Sequence, residues 1–424
     1  MDTTSFTPCN IEKFSSSEAG LTVNSSHVDP YVIYTRPLDA KAGQLHINWW
    51  NLFLCIVSPI YLCWVLGDIW NQHKNKNHIP NKQASLQNIE FLRILFTLVV
   101  LVHHFRSYYG IWDSGGYAVE FFFLLSGYLL ALTFKPERSI IEIAKQRWIR
   151  FVPLVVFGGI LCLGEWKSFL GCIMMQNTGL THGDIPNAPA WYIAILFWCT
   201  LFYLGLLKAL PQRSWILCFA IIGFLAASMI THMPGTRLDL FADIWTRALL
   251  RGLSCMAFGI ILAQCCRRTT GEIIQPAQKW CYTAAEASIL VYVIWGTFDV
   301  RVCPESWIGM VLSRIALLYL FILKRGHLSS FFEHPCAAKV AKYSLAVYLT
   351  HRIFNTTIPK IMREDYPGWL ESHPVLCISI AMAGSCVIGI LAHHLVEKPC
   401  TRYLTHFFDW MKNGQMTNRS TTPE

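Results

Sequence analysis

The stretch Ile89-Glu-Phe-Leu-Arg93-Ile-Leu-Phe-Thr97-Leu-Val-Val-Leu-Val-His103-His104 places a cation and an imidazole in one apolar run. The separation from Arg93 to His104 turns a helix through about 1100°, only ~20° from whole turns, so both side chains share a face. They stand ~16 Å apart along the axis. Ionisable groups inside so apolar a helix are costly and mark a functional cavity. His103 points ~100° away from that face and reads as packing.

The rest of the 424-residue chain fits a bilayer. It is 54% hydrophobic and 14% charged, which excludes an ordinary soluble domain. Apolar segments of spanning length occur near 47–70, 89–109, 116–134, 148–168, 190–209, 214–232, 247–266, 280–298, 306–323, 340–359 and 374–396. The expected fold is all-α: a polytopic membrane bundle built on these eleven candidate spans. The domain reading is a polar extracytoplasmic tail over 1–46, a first transmembrane helix and a cytoplasmic loop over 47–87, a membrane domain over 88–404 and a cytoplasmic tail over 405–424. Residues 1–46 do not read as a cleavable signal peptide.

The net charge of +9 follows topology, not nucleic acid. With the 71–88 loop inside, the inside segments hold about twice the Lys and Arg of the outside ones, among them Lys135, Arg138, Lys145, Arg147 and Arg150. That bias puts the N-terminus outside and the C-terminus in the cytoplasm. The 16 cysteines lie mostly in apolar runs and include no CxxC pair, so they read as small hydrophobes, with no disulfide framework and no metal site. Also absent are a Walker A loop, a GxSxG elbow, HExxH and a GxGxxG helix start.

Several residues carry candidate chemistry. Glu120, about one turn below the outer surface on the next span, reaches the depth of His104. The expected arrangement is His104 as general base with Glu120 as its orienting partner, against a purely structural ion pair. Arg147 and Arg150, at i and i+3 on the cytoplasmic edge of the following helix, put two guanidinium forks on one face, which suits phosphate; plain positive-inside flanking is the alternative. Ser126 and Gly127 permit close helix approach or passage of a narrow ligand arm. Ser344, Tyr348 and His351 form one polar stripe on a single helix, either substrate contacts or packing. The outer loop 169–189 suits a lid or an acceptor surface. Glu286 and Arg314 are expected to pair. Pro399 in Glu397-Lys-Pro reads as a helix stop, with a polar, frayed tail beyond Trp410.

Together these residues resemble the acyltransferase-3 family of bacterial membrane O-acyltransferases, from about Asn88 to Leu404. The R-x10-H motif is Arg93 and His104. The acidic-FF segment is Glu120-Phe-Phe-Phe-Leu-Leu-Ser126-Gly127-Tyr128, with Glu where many members have Asp. RxxR is Arg147 and Arg150, followed by Pro153. Trp191-Tyr192 opens a span, Tyr343-Ser344-Leu345 leads to Tyr348-Leu349-Thr350-His351, and Glu397-Lys398-Pro399 closes the set.

The resemblance implies a cytoplasmic acyl-CoA donor, usually acetyl-CoA, as co-substrate, with no permanently bound cofactor. It implies transfer to a hydroxyl of an extracytoplasmic carbohydrate or glycan, in the bacterial inner (plasma) membrane. On that view Arg93, Arg147 and Arg150 bind the donor and His104 is the essential imidazole. Glu120 joins the catalytic set, and Ser126, Trp191, Tyr348 and His351 are candidate substrate or tunnel residues. The resemblance also implies a bundle of about ten core helices, against which the segment 47–70 is one extra N-terminal helix that most members lack. A transporter or glycan exporter is the alternative, but it leaves the ordered motifs unexplained, and no internal repeat is evident.

Overall fold

The computed structural model describes residues 86–105, 115–162, 166–175, 187–232, 240–241, 245–269, 275–299, 304–366 and 368–419. The segments 1–46 and 47–70 lie outside them, as does most of the expected lid.

Apolar composition makes almost every described element a helix. In chain order they are α1 Gln87–His104, α2 Ala118–Leu132, α3 Ile140–Leu161, α4 Trp166–Ile173, α5 Ala190–Ala209 and α6 Trp215–His232. A two-residue antiparallel hairpin follows, β1 Leu240–Phe241 with β2 Trp245–Thr246, Leu240 opposite Thr246. Then come α7 Arg247–Thr269, α8 Pro276–Asp299, α9 Pro304–Leu323, α10 His327–Phe331, α11 Pro335–Ala341, α12 Ser344–Thr350, α13 Thr357–Asp365, α14 Trp369–Ser372, α15 Pro374–Ala392 and α16 Lys398–Arg419. Proline opens α8, α9, α11 and α15, where its missing N–H has no intrahelical partner to lose.

Among the described residues, five helical stretches are long and apolar enough to cross a membrane: Gly115–Leu132, Ala190–Ala209, Gln212–Thr231, Arg247–Arg267 and Val375–Met411. Two kinds are distinguishable. Gly115–Leu132 and Arg247–Arg267 are largely enclosed by protein, whereas Gln212–Thr231 is only 33% buried despite its apolarity. Its exposed Leu217, Ile221, Phe224 and Leu225 form a surface that water would penalise and lipid tails accept.

The centre of the bundle is the antiparallel seam of α2 and α7. A Cβ at Gly127 would sit 2.1 Å from the Met256 carbonyl oxygen, and one at Gly259 would sit 2.1 Å from the Leu124 carbonyl oxygen. Each glycine thus lets the opposing backbone in, the close approach that apolar membrane helices use in place of a hydrophobic driving force. Gly127 does what its place in the sequence suggested. Around this seam pack α1, α5, α6 and α9.

Three sequence expectations are corrected. The stretch 340–359 is not one helix: α12 ends at Thr350, a 3-10 turn covers His351–Phe354, and α13 starts at Thr357. The Ser344–Tyr348–His351 stripe is therefore bent at its last member. Second, Pro399 does not stop the last helix, because a π-turn over His393–Glu397 leads directly into α16. Proline in the first turn of α16 is tolerated where the preceding ladder has already been shifted. The chain beyond Trp410 is helical to Arg419, and α16 packs on α3 through Phe408 against Trp148, with Lys145 5.7 Å above the Phe408 ring.

Third, Glu286 and Arg314 do not pair. Glu286 accepts from the backbone N–H groups of Gly326 (3.1 Å) and Ser329 (3.0 Å), capping the N-terminus of α10. Arg314 donates to the Met310 carbonyl one turn back, at 2.7 Å.

Replacing Gly127 or Gly259 with valine is expected to cost at least about 1–3 kcal/mol, because each new side chain meets backbone. Gly205, with open space where its Cβ would stand, supplies the control Gly205→Ala. Thermal unfolding of the purified variants checks this; two valine variants as stable as that control would refute the seam.

Candidate functional site

Arg93, Arg147 and Arg150 converge, although they come from two helices. They line a cavity of about 240 Å³ with Thr97, Ser126, Phe151, Tyr192, Ser344 and Tyr348. RxxR lies within α3 and not at its edge, since α3 begins at Ile140. Arg147 is partly enclosed, whereas Arg150 is exposed at the cavity's rim. Arg93 also bonds Glu90, 2.5 Å away and one turn earlier, so a carboxylate shares this guanidinium.

A second cavity, about 270 Å³, shares Arg147, Arg150 and Phe151 with the first and adds Lys135, Arg138, Gln146 and Thr133. The two spaces meet at the RxxR pair. One is rich in exposed cations. The other is lined by Ser126, Tyr192 and Tyr348, and Ser126 lies against the Tyr192 phenol.

From the inner cavity a run of rings leads on to His104. Tyr348 lies 5.6 Å from Tyr192 and 5.9 Å from His351, and His351 lies 4.8 Å from His104, all between ring centres. The Tyr348 hydroxyl donates to the Pro189 carbonyl at 2.9 Å, which anchors that ring at the start of α5. The end of α12 is tied in the same place, where the Asn187 amide donates to the Leu349 carbonyl at 2.7 Å. Gly158 of α3 sits against that pair, and any Cβ there would fall 2.4 Å from the Leu349 oxygen. His103 faces away from the run, beneath Gly115 and Gly116, as packing.

Arg93, Arg147, Arg150, Ser126 and Tyr348 thus line one cavity, and ring contacts carry the path on from Tyr348 through His351 to His104. Two predicted members are elsewhere. Glu120 does not orient His104. Its Oε1 accepts from Arg251 Nε at 2.5 Å and from Trp307 Nε1 at 2.9 Å, and its Oε2 has no hydrogen-bond partner among the described residues. Trp191 lines neither cavity; it lies over the Arg251 guanidinium at 5.2 Å. Both serve a buried cluster completed by Arg251 donating to the Gly116 carbonyl at 2.8 Å. The physical reason is competition for the carboxylate: a buried guanidinium needs a counter-charge more than a neutral imidazole does.

A known family model described as an acyltransferase domain matches residues 86–394, which includes every residue of this path. The chain belongs to the acyltransferase-3 family. Acyltransferase MdmB of Streptomyces mycarofaciens is 23% identical over 329 residues, covering 68% of this chain and 82% of that protein. No solved structure matches. The protein is therefore an acyltransferase of a membrane family.

Sequence reasoning missed Tyr192 as a cavity wall, Lys135 and Arg138 at the entry, and Arg251 and Trp307 as partners of Glu120. The only available signal for Arg251 was a lone charge in an apolar span.

Removing Arg251 as Arg251→Leu strands the Glu120 carboxylate and is expected to cost about 3–5 kcal/mol. The double variant Arg251→Leu/Glu120→Leu is expected to recover part of that loss. Denaturation midpoints of the single and double variants check the coupling; single losses that simply add in the double variant would show the pair does not interact.

Proposed function

We propose that the protein is a membrane O-acyltransferase that moves an acetyl group from cytoplasmic acetyl-CoA to a hydroxyl of an extracytoplasmic carbohydrate or glycan. The observation that carries this reading is the meeting of the two cavities at Arg147 and Arg150. A CoA-type donor is a polyanionic nucleotide joined to a long, thin arm that ends in the thioester. The outer space, with Lys135, Arg138, Arg147 and Arg150, suits the phosphates, because guanidinium forks bind phosphate oxygens in pairs. The adjoining space, lined by Arg93, Thr97, Ser126, Tyr192 and Tyr348, suits the arm. Arg93 extends the positive lining toward His104.

His104 then removes the acceptor's proton as its oxygen attacks the acyl carbon. The ~16 Å from Arg93 to His104 is a span an extended arm can bridge. The excess of Lys and Arg on alternate segments supports a cytoplasmic C-terminus and an N-terminus outside, in a bacterial inner membrane. The donor then enters from the cytoplasm, and the acceptor meets His104 from the other side.

Acetyl-CoA binding to purified protein tests the donor. Saturable binding is expected in the wild type, weakened at least about tenfold in Arg147→Ala/Arg150→Ala and weakened also by salt. No saturable binding by well-folded wild type would sink the acetyl-CoA reading. His104→Ala is expected to bind the donor normally yet lose about 100-fold or more in acetyl transfer; full activity would remove His104 from the chemistry.

A further inference from the structure

His351 sits where α12 gives way to the 3-10 turn, with no exposed surface. Its Nδ1 is 2.6 Å from the Tyr348 carbonyl oxygen. A carbonyl only accepts, so Nδ1 carries the proton, and in the neutral ring Nε2 is a bare acceptor. That Nε2 is enclosed and has no hydrogen-bond partner among the described residues. Buried polar atoms are nearly always bonded, so one left over beside a second imidazole calls for an explanation.

The His104 ring is the near neighbour, 4.8 Å away between centres and tilted by 42°. Two imidazoles joined nitrogen to nitrogen have centres about 5 Å apart, from an N···N distance of ~2.9 Å plus two ring radii. The observed spacing brings the two rings within that reach, and the bond, which this structure does not make, requires the His104 ring to turn.

We propose that His351 is the positioning residue for His104, accepting a His104 N–H at its Nε2 and so aiming the other His104 nitrogen at the acceptor hydroxyl. This rests on the reading of His104 as the base, and it fills the place expected of Glu120. The acceptor O–H bond breaks and its proton moves to the other, unprotonated His104 nitrogen. The acceptor oxygen bonds the acyl carbon as the C–S bond breaks. The proton then passes from His104 to the departing sulfur, and CoA leaves as the thiol. Throughout, the order is Tyr348 carbonyl, His351, His104, acceptor. An imidazole replaces the carboxylate of a conventional triad, which spares the apolar interior a second charge. The other groups about the pair are His103, 5.2 Å from His104, Phe105, 6.3 Å from His351, and the adjoining Arg352.

The test uses the purified full chain, acetyl-CoA and water as the acceptor, with release of free thiol as the readout. His351→Leu removes the acceptor atom, while the amide oxygen of His351→Gln restores one near Nε2. His351→Leu is expected to lower kcat about 100-fold with little change in KM for acetyl-CoA. His351→Gln is expected to recover most of the loss. Adding His351→Leu to His104→Ala is expected to cost nothing more. Equal impairment of the Gln and Leu variants, with KM raised in both, would mean packing only and overturn the proposal, as would full activity in His351→Leu. If His104→Ala is itself fully active, the underlying reading fails instead. Nitrogen-15 spectra of histidine-labelled protein test the tautomer without any turnover. The His351 signals, assigned by their loss in His351→Gln, are expected to show Nδ1 protonated and Nε2 bare; a protonated Nε2 overturns the proposal.

Discussion

A carboxylate and a guanidinium enclosed among apolar helices must find each other, and the bundle is arranged around that requirement. Glu120 of α2, Arg251 of α7 and Trp307 of α9 meet at hydrogen-bond distance, with Trp191 of α5 over the guanidinium. Four helices far apart in sequence are thereby registered at one depth. Leaving either charge alone there would cost several kcal/mol, so sliding any of these helices by a turn is penalised. Just inward, Gly127 and Gly259 bring the backbones of α2 and α7 into contact, which only that register permits. Charge sets the depth and glycine sets the distance.

That anchored centre leaves the cavity and the adjoining histidines to its neighbours. α1 carries Arg93 and His104, α3 carries Arg147 and Arg150, and the bent α12 carries Tyr348 and leads into His351. Because α12 breaks at Thr350, His351 turns toward His104 instead of continuing the stripe, and the freed carbonyls at the break are satisfied by Asn187 and by His351 itself. The same break thus positions the imidazole and fixes its tautomer. The His351 ring is placed beside His104 where the backbone is least regular, on a scaffold whose regular parts are tied elsewhere.

The glutamate shows how sequence reading goes astray. Glu120 and His104 do lie on adjacent helices, and equal depth made their pairing natural to expect. Depth does not settle which way a side chain points, and Arg251 outcompetes an imidazole for a carboxylate. Glu286 followed the same course: nothing in α8 or α9 announces that its oxygens will cap α10 across a turn. Pro399 misled in a different way, since a stop signal depends on an uninterrupted ladder before it and the π-turn had already shifted that ladder.

What the sequence determined by itself is what depends on local spacing and composition. The helices follow from apolar runs, the shared face of Arg93 and His104 from the helical period, the RxxR fork from its i, i+3 spacing, and the family from its ordered motifs. What only the tertiary structure decided is partnership: which cation takes Glu120, that the two arginine-bearing helices enclose one cavity, and that His351 bends toward His104. The physical reason is range. Helix geometry is set within a few residues, whereas a hydrogen bond between residues 131 positions apart, such as Glu120 and Arg251, exists only once the helices are packed.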